Sequence, residues 1–334
     1  MNKMYKLLFF MTLISGTMIS ISSSSWLGVW MGMEINLISF IPLISNEKNN
    51  FSSESSMKYF IVQALASTVL LFSILLLMLN KYNVMTIIFI MMNSALFLKM
   101  GAAPFHFWFP EVLSKMNWNQ SMILLTWQKI APMMIISYSI KMNNFTTMII
   151  LLSALVGSIM GLNQTMIQKL MAYSSINHMS WMISAMMIKE NIWLVYFIIY
   201  SLITLSITTM MNEIKSFHMK QMFLLMNNNP LMKFFFIINF LSLGGLPPFI
   251  GFFPKWIIIV SMIEQNLLIL TFLMIMFTLI TLFFYLRMTF SMISINMNEN
   301  KWNKNININK MTTTMMSSIS ISGMIISTIL VNYI

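Results

Sequence analysis

Eleven apolar stretches, most of them about bilayer-spanning length, run through the 334 residues: 4–21, 26–45, 57–79, 84–115, 118–140, 145–162, 166–188, 191–212, 231–263, 267–290 and 312–333. A hydrocarbon core of about 30 Å is crossed by ~20 helical residues. Inside it no water can pair with backbone N–H and C=O groups, so the chain must satisfy them itself, as a helix does. The expected fold is therefore an all-α membrane protein of about eleven transmembrane helices. Two stretches, the fourth and the ninth, are too long for one straight span. Each carries an internal break: Gly101 and Pro104 in the fourth; Gly244, Gly245, Pro247 and Pro248 in the ninth. Both are expected to be pairs of half-helices.

Composition narrows the function classes. Apolar residues make up 58% and charged residues only 8% of the chain, with a mean hydropathy of +0.80, which excludes a soluble globular domain and disorder alike. Without cysteine, no disulfide frame, iron–sulfur cluster or thiolate zinc site can form. The net charge of +11 does not point to nucleic acid, because no polar domain exists to carry the basic residues. The 41 methionines are spread over every span and read as apolar filler rather than as metal ligands. The N-terminus looks like a signal peptide but lacks a small-residue cleavage site, so it is expected to stay as the first helix.

The positive charges fix an orientation. With the N-terminus on one side, only Lys81, Lys141 and Lys189 fall in loops opposite it. Three further lysines lie inside spans, and every other Lys, with Arg287, falls on the N-terminal side. That asymmetry is the positive-inside signature, and it places the C-terminus across the membrane. The broken helices are fourth in each of two successive sets of five, and five being odd, the sets are inverted. Discontinuous helices at matching positions of inverted halves point to the working region of a transporter. The expected organisation is one transmembrane domain, 1–334. Residues 1–140 form a first inverted half and 145–290 a second, with 291–334 an exposed loop and a last helix. The stretch 213–230 reads as a polar link.

Ionisable groups inside spans are costly, by about 2.5–3.5 kcal/mol on insertion scales, and mark ion or proton pathways by default. Glu34 lies mid-span in WLGVWMGMEINLISFIPLI. Lys99 precedes the first break in KMGAAP, Lys129 precedes a further helix-breaking residue, Pro132, in WQKIAP, and Lys255 follows the second break in GGLPPFIGFFPK. Lys99 and Lys255 have two readings: a cap on carbonyls that the break leaves without partners, or a proton carrier. Lys129 could also extend its ammonium toward an interface, though it sits mid-span. Glu34 is either a structural counter-charge or part of a Glu–Lys switch, since burial and pairing act on the pair in opposite senses. His178, among Ser174, Ser175 and Asn177, is an accessory relay candidate or a hydrogen-bonded core histidine. His106, beyond the first break, gates the exit or docks the half-helix. No phosphate loop, nucleophile elbow or metal site is expected.

In order along residues 20–290, SWLGVWMGMEINLISFIP, SSESSMKYFIVQALAS, KMGAAPFHFWFPEV, LLTWQKIAP, GLNQTMIQKLMAYSSINHMSWM and LSLGGLPPFIGFFPKW together resemble the NADH dehydrogenase (ubiquinone) subunit 2 family of mitochondrial respiratory complex I, in an arthropod-like form. The resemblance implies an antiporter-like subunit of the membrane arm that couples NADH:ubiquinone oxidoreduction to proton pumping. In that family the glutamate here at Glu34 pairs with the lysine here at Lys99, and those here at Lys129 and Lys255 continue a charged axis along the midplane. One departure is Gln168 before Lys169, where the family often has arginine. The resemblance implies no catalytic residue and no bound cofactor in this chain: NADH, FMN, iron–sulfur clusters and ubiquinone belong to partner subunits. The implied partners are other membrane-arm subunits, including further antiporter-like ones, and lipids such as cardiolipin, but no nucleic acid. The implied location is the mitochondrial inner membrane, with the N-terminus in the matrix and the C-terminus on the intermembrane side. The same charges would also serve a free-standing cation/proton antiporter, and the same spans a non-pumping structural spacer. A quinone-binding role lacks a paired polar constellation to hold the head group.

Overall fold

A computed structural model describes residues 3–45, 50–79, 85–140, 142–226 and 230–294. The eleventh stretch, most of the loop before it, and Lys48, Lys81 and Lys141 lie outside the described residues. Among the described residues there are fourteen helices and a single isolated β-bridge, Met166 to His218. Six helices are long and apolar enough to cross a membrane: Met4–Ser22, Trp26–Ile44, Asn50–Met78, Asn144–Gly161, Glu190–Ile214 and Leu268–Ser294. The chain is an all-helical membrane protein. It divides into two compact units, Met1–Ile149 and Ile150–Ile334.

The first unit begins with α1 (Lys3–Ser22) against α2 (Trp26–Ile44). The two backbones nearly touch: a Cβ at Gly32 would stand 2.5 Å from the Ser20 nitrogen. Lipid offers no hydrophobic drive to pair helices, so close backbone approach through small residues supplies the contact. Next, α3 (Asn50–Met78) is built inside out. Its buried side carries Ser52, Ser55, Ser56, Tyr59, Gln63, Ser67 and Ser73, while Phe60, Ile61, Leu65, Phe72 and Leu75 point outward. Many of its serine hydroxyls, such as Ser55 and Ser73, donate to carbonyls three residues back, so the inward polar face costs little.

The fourth stretch does break. Helix α4 (Met85–Met100) ends at Gly101, and α5 (Trp108–Ser114) restarts the chain seven residues later. Gly101 takes φ +76°, a left-handed value that glycine reaches without steric cost. The N–H groups of Gly101 and Ala102 both return to the Phe97 carbonyl at 3.0 Å.

The stretch 118–140, expected as one span with a helix break at Pro132, has Pro132 inside a helix and is interrupted earlier. It is two helices, α6 (Trp118–Leu125) and α7 (Trp127–Ser139), separated at Thr126 with φ −115° and ψ −72°. The Thr126 hydroxyl and N–H both donate to the Met122 carbonyl, at 2.7 Å and 3.2 Å, a back-bond of the kind that bends helices, and beyond it Pro132 has no N–H for the Gln128 carbonyl. Gln120, in the capping box of α6, also donates to the Leu43 and Ile44 carbonyls that end α2.

Helix α8 (Asn144–Gly161) leads into the second unit, which contains α9 (Ile167–Ile188), α10 (Glu190–Ile214), α11 (Met219–Met226), α12 (Pro230–Gly244), α13 (Phe252–Glu264) and α14 (Leu268–Ser294). Helix α9 is buried on nearly every side from Ile167 to Met186, with α10, α13 and α14 packed against it. The link 213–230 is not wholly irregular: α11 forms within it, burying Met222 and Met226. The ninth stretch breaks where its glycines stand. Gly245 takes φ +80°, and its N–H and that of Leu246 return to the Leu241 carbonyl.

Candidate functional site

The first unit holds a cavity of about 440 Å³, counted with its open mouth, among α2, α3, α4, α5, α6 and α7. Its wall includes Lys99 and Lys129 together with Asn36, Tyr59, Gln63 and Gln128. Space for water-sized occupants is enough for one or two waters. Each polar group enters it for a local reason. Lys99 occupies the last turn of α4, directly before the break, and is 8% exposed. Lys129 is the third residue of α7, just after the Thr126 interruption, and is 2% exposed. Its ammonium stands 5.5 Å from the centre of the Phe109 ring, a cation–π distance, and Phe109 belongs to the half-helix α5.

The carbonyls freed at the first break are occupied by neutral donors. Gln63 Nε2 donates to the Lys99 carbonyl at 3.1 Å, and Trp108 Nε1 donates to that of Leu98 at 3.1 Å. Lys99 therefore does not do the capping at its own break. Across the cavity, Gln128 Nε2 donates to Asn36 Oδ1 at 3.0 Å, and Tyr59 donates to Gln128 Oε1 at 3.5 Å. Glu34 is half-buried on α2. It does not line the cavity, and no ion pair within 4.0 Å joins it to Lys99 among the described residues, yet its charge is within electrostatic reach of that ammonium. His106 is buried at 4% exposure, with its ring 4.3 Å from that of Phe107.

The second unit holds Lys255 and His178. Lys255, in the first turn of α13, is 7% exposed. Its Nζ donates to the Gly244 carbonyl at 2.9 Å and reaches that of Leu243 at 3.4 Å. Here the lysine itself caps the broken helix. His178, buried on α9, has Nδ1 2.8 Å from the Tyr196 hydroxyl, and its ring lies 5.1 Å from that of Tyr200. A smaller cavity of about 220 Å³ is walled by His178, Tyr196, Tyr200, Ser242, Leu243, Gly251 and Pro254. Of these groups the sequence pointed only to the histidine, and in the first unit it passed over Tyr59, Gln63 and Asn36. The signal was present on α3: Ser52, Ser56, Tyr59, Gln63 and Ser67 recur every three or four residues, a polar stripe at helical period inside an apolar span.

The family model described as NADH:quinone oxidoreductase/Mrp antiporter, TM, matches residues 23–284. The chain belongs to this family. Its members named NADH-ubiquinone oxidoreductase chain 2 include relatives from Anopheles gambiae, 51% identical over 96% of this chain and 94% of the relative, and from Aedes aegypti, 50% identical over 99% of both. The resemblance carried by the sequence motifs is thus borne out, insects included. The family's fold is seen again in a chain of respiratory complex I from Thermus thermophilus with bound aureothin. That chain superposes with a TM-score of 0.86 at 19% identity, covering 98% of this chain and 80% of the other.

Proposed function

We propose that this chain is a proton-translocating, antiporter-like subunit in the membrane arm of a mitochondrial NADH:ubiquinone oxidoreductase, with redox chemistry and its cofactors housed in partner subunits. The observation that carries the reading is the cavity that brings Lys99 and Lys129, two buried amines on interrupted helices, to one wall. Membrane interiors hold such groups at a cost of several kcal/mol, and function is the usual reason they persist. The sequence relatives named NADH-ubiquinone oxidoreductase chain 2 supply the reaction class. In this reading Glu34, Lys99 and Lys129 in the first unit and Lys255 in the second carry protons, with His178 and His106 accessory. The eleven spans form two inverted five-helix halves, 1–140 and 145–290, followed by a last helix. The N-terminus faces the matrix and the C-terminus the intermembrane side. Other membrane-arm subunits, antiporter-like ones among them, and anionic lipids such as cardiolipin are the partners.

The mechanism needs no chemistry beyond moving protons. A shift of charge or water arriving from a partner changes the separation of Glu34 and Lys99, and a pair that opens and closes exchanges its proton with water in the cavity. About 1.4 kcal/mol of change in pair energy alters occupancy tenfold. The test is Lys99→Met in the assembled complex: fewer protons moved per electron, with assembly retained, is the expected result. Unchanged stoichiometry in a fully assembled variant would falsify the reading. A lone purified chain that exchanged sodium for protons would instead favour the free-standing antiporter.

A further inference from the structure

We infer that Gln128 is a positioning residue for proton passage, and that its hydrogen bond to Asn36 ties the helix of Glu34 to the helix of Lys129 across the cavity. The inference rests on the proposed function and adds a part to it. Three observations lead there. Gln128 stands immediately before Lys129, and Asn36 two residues after Glu34, so their bond at 3.0 Å couples the backbones that carry the two charged side chains. Both amides line the same cavity as Lys99 and Lys129. Asn36 is 5% exposed, and a buried amide is held where its partner is, because leaving it unpaired is costly.

The backbone around Gln128 braces it weakly, so its side-chain bonds set its position. Gln128 lies between two weak points of its helix, the interruption at Thr126 and Pro132, which withholds an N–H from the Gln128 carbonyl. Its side chain is anchored from α3 as well, where the Tyr59 hydroxyl reaches Oε1 at 3.5 Å. The amide group thus joins three helices, α2, α3 and α7. Gln128 need not accept or release a proton itself. It fixes the distance between the helix bearing Glu34 and the first turn of α7, and so the positions at which water can bridge Lys99 and Lys129. Displacements of ~1 Å at such a point can cost as much as ~100-fold in rate.

The experiment compares Gln128→Leu, Asn36→Leu, the exchanged pair Asn36→Gln with Gln128→Asn, and Lys129→Met, each in the assembled complex in sealed vesicles. NADH oxidation and proton uptake are followed in H2O and D2O. Both leucine variants are expected to slow coupled turnover about tenfold and to raise the H2O/D2O rate ratio, because a stretched water bridge makes proton transfer limiting. The exchanged pair, which restores an amide contact of the same total length, is expected to recover the wild-type ratio. A merely structural contribution would lower assembly without moving the isotope ratio. If Gln128→Leu keeps the wild-type rate and isotope ratio while Lys129→Met loses pumping, the positioning role is overturned and the proposed function stands. If Lys129→Met also pumps normally, both fall. Should the leucine variants fail to assemble, Tyr59→Phe decides: a raised ratio supports the role, and an unchanged one overturns it.

Discussion

The two helix breaks solve one problem in opposite ways. Both turn on a glycine with positive φ, Gly101 at +76° and Gly245 at +80°, and both return two N–H groups to a single carbonyl of the preceding turn. They part over the carbonyls left behind. At the first, a glutamine and a tryptophan indole occupy them, and the nearby lysine lines a cavity. At the second, the lysine is the donor. A buried amine at a break is therefore not one kind of group. Lys255 holds structure together whatever else it does, whereas the capping duty is lifted from Lys99 by neutral neighbours.

The two breaks differ most at Lys255. Lys255→Met leaves the Gly244 and Leu243 carbonyls without their donor, and each unmet buried group costs about 1–3 kcal/mol. The expected outcome is a clear fall in thermal stability of the assembled subunit. Lys99→Met should leave the melting temperature nearly unmoved while proton uptake falls; similar destabilisation in the two variants would erase the distinction.

Alanine at the two glycines gives the next largest effect. A left-handed non-glycine residue costs about 1–2 kcal/mol. At Gly101 the added Cβ would stand 3.0 Å from Phe109 Cβ, and at Gly245 it would stand 2.9 Å from the Lys255 ammonium. Gly245→Ala is expected to destabilise more, because the atom displaced is the cap itself, and chemical or thermal unfolding of paired variants measures the gap. Gln63→Leu should cost about 1–2 kcal/mol by freeing the Lys99 carbonyl. A neutral result would mean that water replaces the glutamine.

The smallest effect belongs to the exposed charges that fasten α5 to the start of α3. Lys58 bridges Glu54 at 3.3 Å and Glu111 at 2.9 Å, and Lys115 also pairs with Glu54. Solvent-exposed pairs contribute little and are screened by salt. Lys58→Met is expected to change stability only slightly at low ionic strength and not at all at high, as a salt series of melting curves would reveal.

The breaks at Gly101 and Gly245 were legible because glycine and proline mark them directly. The interruption at Thr126 was not: proline marks Pro132 as the breaking residue of that span, yet it lies inside α7, and a threonine hydroxyl sharing a backbone carbonyl leaves no trace in hydropathy. Lys99, Lys129 and Lys255 stood out because a charge in an apolar run needs a reason. Their different duties did not, because whether a lysine caps depends on what else reaches the carbonyl, and Gln63 approaches Lys99 from a helix 36 residues away in sequence. Asn36 and Tyr59 escaped notice because single polar residues within a span are common, and only α3's stripe and the cavity wall give them a shared purpose.

The placement of the two amines in the first cavity also has an electrical side. Lys99 lies at the C-terminal end of α4 and Lys129 at the N-terminal end of α7. Aligned peptide dipoles make the former end negative and the latter positive. A positive charge placed between the two amines would meet a fixed slope in potential supplied by the backbone alone, so the chamber is polarised before any partner acts on it.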